Sequence, residues 1–190
     1  IKVTAPGKQE YILLELPLDL RLAEDAIMLE GADGTIRRFE SRRSSQPTCV
    51  LIPSDSVPVR LGEFQTTWPL EVFVRNKRGK PVMDLVERLP LETYLPGVLA
   101  KELYPSWTPV TFRAQAIAAR SYALHEMQRR ERTGSHFHVE RTTQDQAYAG
   151  QTDHNVSLSA VEDTRGVVLT YNNHLLRAYY SSTCGGRAGS

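Results

Sequence analysis

Glu102 stands where a charged residue is costly. Projected at about 100° per residue, residues 91–107 (LETYLPGVLAKELYPSW) place Tyr94, Leu95, Val98, Leu99 and Leu103 in one apolar arc, with Glu102 near its middle. Lys101 points nearer the edge of that arc, and Glu92 lies towards its far margin. A carboxylate on an apolar face is expensive to ionise without a partner. Desolvation of that kind favours the protonated form, which suits a general acid. The same pattern fits a glutamate at the edge of a core, bonded to backbone or to an arginine. Spacing alone leaves both readings open.

The elements that would position Glu102 are legible. Pro96 and Thr93 suggest a helix starting close by, with Thr93 as its cap, and Pro105 suggests its end. Thr108 followed by Pro109 reads as the cap and first residue of a second helix, running to about Arg132 with Gly134 just beyond. Its alanines (Ala114, Ala116, Ala118, Ala119, Ala123) allow close approach of neighbours and suggest a central, buried helix. Gln115 and Arg120 then need partners. They either satisfy backbone groups, or Arg120 orients the Glu102 carboxylate or a ligand. Residues 153–164 suit a short helix capped by Asp153. GVVLTYNNHLLRAYYSS suits a β-hairpin turning at Asn172-Asn173. Gly185 and Gly186 suit a tight turn or a close approach to a ligand.

Residues 1–88 read as β. Runs at 11–16, 26–30, 48–52, 57–61, 70–76 and 82–89 are apolar or alternating, and turn-forming clusters separate them. Arg37, Arg38, Arg42 and Arg43 read as a solvated basic loop, or more weakly as a contact to an anionic polymer. The expected fold class is α+β, with a β-rich region (1–88) packed with a half of helices plus sheet (89–190).

Composition narrows the function classes. At 190 residues the chain can bury one substantial core. Lys and Arg total 23 against 22 Asp and Glu, a net charge of +1 that gives no support for nucleic-acid binding. No run approaches the ~20 apolar residues of a membrane span. The opening IKVTAPGKQE has no basic n-region followed by an apolar h-region, which suits a cytoplasmic protein or a trimmed secreted one. Cys49 and Cys184 could pair or remain thiols. His136 and His138 are followed by no cysteine at ligand spacing, so neither metal nor cofactor is expected.

Three segments carry a resemblance. LPLETYLPGVLAKELYPSWTPVTFRAQAIAARSYAL resembles the LEDYL…GVV…Glu…Pro…KAQAVAARTYAL signature of the stage II sporulation protein D family. TTQDQAYAG (142–150) resembles its Thr…Gln-x-Tyr-x-Gly element. AVEDTRGVVLTYNNHLLRAYYSSTCGG (160–186) resembles its Tyr-x-Ser-x-x-Gly-Gly end. The resemblance implies an extracytoplasmic lytic transglycosylase acting on peptidoglycan glycan strands that lack stem peptides, with Glu102 as its acid. It also implies that the domain continues past the Gly-Gly pair. Such an enzyme needs one carboxylate rather than the usual glycosidase pair, because the sugar's own C6 hydroxyl closes a 1,6-anhydro ring.

Gln144, Gln146, Tyr148, Tyr179, Ser181 and Ser182 then become candidates for sugar recognition beside Gln115 and Arg120, with Asp145 as a helper or turn former. Some relatives are described as enhancers of a cell-wall amidase, so a non-catalytic glycan-binding module stands as the alternative. A cysteine hydrolase using Cys184 and a purely structural envelope protein are weaker readings, since the first lacks an assigned histidine and the second leaves Glu102 unexplained.

Overall fold

The computed structural model describes residues 1–23, 26–41, 46–54, 58–61, 64–148 and 150–181. The chain divides into two units, Ile1–Leu89 and Pro90–Ser190. The class is α+β.

The first unit is built from antiparallel strands. These are β1 (Lys2–Thr4), β2 (Ile12–Leu13), β3 (Asp19–Ala23), β4 (Ala26–Glu30), β5 (Ile36–Glu40), β6 (Cys49–Ile52), β7 (Val59–Leu61), β8 (Phe64–Thr66), β9 (Leu70–Lys77) and β10 (Lys80–Glu87). One sheet has the order β10-β9-β6-β1-β2, a second the order β3-β4-β5, and β7 pairs with β8. In the first sheet Val3 lies opposite Leu51, Leu51 opposite Leu70 and Cys49 opposite Val72, and all five side chains are buried. In the second, Ile27 and Leu29 of β4 are fully buried. Burial pushes the Cys49 thiol up to about 12, which leaves it protonated and inert. Cys184, its possible partner, lies outside the described residues.

Several sequence expectations change here. The run at 11–16 contributes only the two-residue strand β2. Arg37 and Arg38 lie on β5 rather than in a loop, and Arg38 pairs with Glu40 at 2.6 Å. Arg42 and Arg43 lie outside the described residues. The strands β1, β5 and β8 were too short or too polar for alternation to reveal, whereas β3 carries a clear alternation, Leu18-Asp19-Leu20-Arg21-Leu22, that was passed over.

The second unit holds α1 (Leu91–Glu102), α2 (Pro109–Arg132), α3 (Asn155–Asp163) and a hairpin of β11 (Thr170–Tyr171) and β12 (His174–Leu175). The helices pack against one another, and β12 touches α2. The buried residues Leu95, Val98, Leu99, Phe112, Ala116, Ala119, Ala160 and Val161 form its core. Thr108 caps α2 by accepting from the Thr111 amide, with Pro109 at the first position. Gly134 follows with φ +67°. Asn172 and Asn173 take φ 48° and 60°, the left-handed pair that a two-residue hairpin turn demands.

Two caps differ from expectation. Pro90, not Thr93, precedes α1, and Pro96 lies inside that helix. His154, not Asp153, precedes α3. Pro96 lacks the N–H that would bond the Glu92 carbonyl. It is buried beside Gly97.

Candidate functional site

α1 stops at Glu102, because Leu103 is extended (φ −113°, ψ 148°) and its N–H returns to the Leu99 carbonyl. Glu102 is therefore a helix-terminal, half-buried side chain rather than a mid-helix one. Its Oε1 accepts a 2.7 Å hydrogen bond from the Ala147 backbone N–H. That bond joins the end of α1 to the 142–150 loop.

The loop is pinned from three sides. Asp145 accepts from the Tyr122 hydroxyl (3.0 Å), from Arg130 (2.6 Å) and from the Glu140 amide (2.7 Å). Gln146 is fully buried. Its carbonyl accepts from the Tyr94 hydroxyl at 3.2 Å, and its amide donates to the Ala119 carbonyl and the Tyr180 hydroxyl. The Tyr148 ring is buried and lies 4.8 Å from the Tyr94 ring. A Cβ on Gly97 would strike the Gly150 carbonyl and the Tyr148 ring.

That contact explains why a glycine sits inside α1, where it costs about 1 kcal/mol relative to alanine. Gly97→Ala is expected to destabilise the protein by about 1–3 kcal/mol and to lower any activity through displacement of the loop. A thermal melt together with a turnover assay checks this. A parent-like melt would refute the close approach.

Tyr180 belongs to the same cluster. Burial pushes its phenol up, Gln146 and Gln115 oppose this by hydrogen bonding, and the nearby Glu102 charge pushes it further up. Burial likewise raises the Tyr94 phenol, reinforced by Tyr180 and Tyr148. Glu102, Gln115, Gln146 and Tyr180 thus converge. Tyr180 was missed because the segment carrying it, which lies beyond β12 and outside any strand, was read one residue out of phase. Tyr179 is 71% exposed, while Ala178 and Tyr180 turn inward. A slip of one residue exchanges the faces of an extended segment. The spacing Tyr180-x-Ser182-x-x-Gly185-Gly186 was the available signal. Ser181 is exposed with Tyr179, and Ser182 lies outside the described residues. Gln144 is exposed on the loop.

Arg120 does not orient Glu102. It is 1% exposed and donates to both Glu92 oxygens (2.9 and 2.8 Å), to Thr164 and to the Val161 and Val167 carbonyls. It ties α2 to α1 and α3 instead. Glu126, which the sequence reading passed over, is fully buried beside Arg129 (2.6 Å) and Arg177 (2.7 Å). Burial alone would push its carboxyl up, but the Arg129 hydrogen bond and the Arg177 and Arg129 charges outweigh it and hold the group below its ordinary value.

These pairings single out Glu102. Four carboxylates of the second unit are withdrawn from full exposure: Glu92, Glu102, Glu126 and Asp145. Glu92 has Arg120, Glu126 has Arg129 and Arg177, and Asp145 has Arg130. Among the described residues Glu102 has no cation and is held by a neutral amide. No group of three or more metal-ligating side chains occurs among the described residues. No helix among them is long and apolar enough to cross a membrane.

The family model described as SpoIID, stage II sporulation protein, matches residues 80–171. The chain is 39% identical over 92 residues to the amidase enhancer of Bacillus subtilis, covering 48% of this chain and 12% of that protein. It is 32% identical over 117 residues to stage II sporulation protein D of the same organism, covering 53% and 34%. With an uncharacterised protein of Brachyspira hyodysenteriae it shares 36% identity over 109 residues, covering 57% and 29%. It thus spans about a third or less of the length of these relatives. No solved structure matches the chain. The matched segment contains α1, Glu102, α2 and the pinned loop, and over that segment the chain is similar to the stage II sporulation protein D family.

Proposed function

We propose that this chain is a peptidoglycan lytic transglycosylase whose acid and base are both Glu102. The observation that carries the reading is the state of that carboxylate. It is half-buried, fixed by the Ala147 amide and, among the described residues, without a cation. The other sequestered acids of the unit are each bonded to an arginine.

In the proposed reaction Glu102, protonated, donates to the glycosidic oxygen, and the C1–O bond breaks as the leaving sugar takes that proton. The Glu102 carboxylate then accepts the proton of the C6 hydroxyl on the sugar that keeps C1. Its oxygen bonds to C1 and closes the 1,6-anhydro ring. No water is consumed, and Glu102 ends protonated. Glycan strands lacking stem peptides are the proposed substrate, and the protein would act outside the cytoplasm, alone or beside an amidase and other envelope proteins.

The similarity to an amidase enhancer favours a second reading, in which the same site holds glycan without cutting it. A cysteine hydrolase has less support, since Cys49 is buried and protonated and Cys184 lies outside the described residues. Mass spectrometry of purified peptide-free glycan strands after incubation separates the readings. Anhydro ends are the expected product. Reducing ends would mean hydrolysis with water as nucleophile, and strands bound but uncut would favour the enhancer reading.

A further inference from the structure

We propose that Tyr104 and Trp107 form a stacking subsite for the pyranose rings of the glycan strand next to Glu102. The inference rests on the glycan-processing reading above and adds a ligand-contacting surface to it. Most aromatic rings of the second unit's helices and loop are spent on packing: Tyr94, Phe112, Tyr122 and Tyr148 are all buried. Tyr104 and Trp107 are not, at 69% and 43% exposed. Their ring centroids are 5.5 Å apart at 65°, so each braces the other edge to face. Val110, 63% exposed, extends the apolar surface.

The connection that carries the pair is short and fixed. At one end Leu103 is buried and its N–H closes on Leu99. At the other Thr108 caps α2. Between them the Trp107 N–H donates to the Tyr104 carbonyl at 3.0 Å, and Pro105 fixes a further φ. Rings held this way lose little freedom when a ligand stacks on them. The segment 103–112 (LYPSWTPVTF) contains no charged side chain. Such a surface suits a neutral ligand with apolar C–H faces and hydroxyl edges, which is the chemistry of a sugar ring. Tyr104 lies two residues after Glu102, which holds the two Cα atoms within about 7 Å of each other.

The test uses tryptophan fluorescence. The chain has two tryptophans, Trp68 and Trp107, so a Trp68→Phe background leaves Trp107 as the reporter. Purified peptide-free glycan strands are titrated into this protein and into the same protein carrying Glu102→Gln. A saturable change in Trp107 emission is expected. By titration calorimetry, which needs no tryptophan, Trp107→Ala and Tyr104→Ala should each weaken strand binding about tenfold with parent-like melts, whereas Trp107→Phe and Tyr104→Phe should stay near the parent.

Normal strand affinity in both alanine variants, or equal losses in the phenylalanine variants, would overturn the subsite and leave the glycan reading standing. No binding of strands by the parent would overturn both. An emission change on dilution without glycan, together with no change on adding strands, would assign the surface to contact between copies and overturn the proposal as well.

Discussion

Glu102→Gln is expected to abolish glycan cleavage while the protein folds and binds strands as the parent does. A positioned acid contributes on the order of 10²–10⁴ in rate, and in the proposed reaction one group serves both proton transfers, so the loss should reach the upper end of that range. The amide keeps the shape of the carboxylate and an oxygen that can accept from the Ala147 N–H. The fold therefore loses little. Product analysis by mass spectrometry, with a thermal melt alongside, reads both quantities. Parent-like turnover in the glutamine variant would remove Glu102 from the mechanism. An inactive parent that still bound strands would shift the weight to the enhancer reading.

Tyr148→Ala is expected to be costly to stability. From sequence, a loop tyrosine in a Thr- and Gln-rich stretch suits recognition, and its loss should then weaken binding while sparing the fold. The structure reverses the order of effects. The ring is 6% exposed, packs on Tyr94 and fills the space over Gly97. Removing a buried ring costs about 3–5 kcal/mol, and the loop that carries the Ala147 amide would lose its seat. A melt far below the parent is the expected result, with Tyr148→Phe close to it. A Tyr148→Ala protein that melted with the parent but bound glycan poorly would restore the recognition role.

The contrast between these residues marks what sequence can carry. Thr108-Pro109 and Asn172-Asn173 were legible because local chemistry fixes their backbone: a hydroxyl cap with a ring-locked φ, and two residues that tolerate φ > 0. Glu102 was legible because a charge on an apolar arc breaks a pattern. The end of its helix was not, since Leu103 continues the apolar arc although its backbone leaves it. Gln146 was noted for its type, and nothing local could tell that it faces inward to Tyr94, Ala119 and Tyr180, all distant in sequence. Arg120 was recognised as needing partners, but only the placement of α1 against α2 decides that Glu92 supplies them. Tyr180 lost its place to Tyr179 because a short extended segment carries too few residues to fix its phase.

The bond to Glu102 comes from the main chain of residue 147, and this changes what sequence drift can do to the acid. Any residue there except proline supplies the same N–H, so the bond itself does not depend on the alanine side chain. Selection on the acid's aim must instead act on its neighbours, Asp145 and Gln146, which hold the loop through α2. A descendant could keep Glu102 and lose its function through a substitution at a position that never meets the substrate.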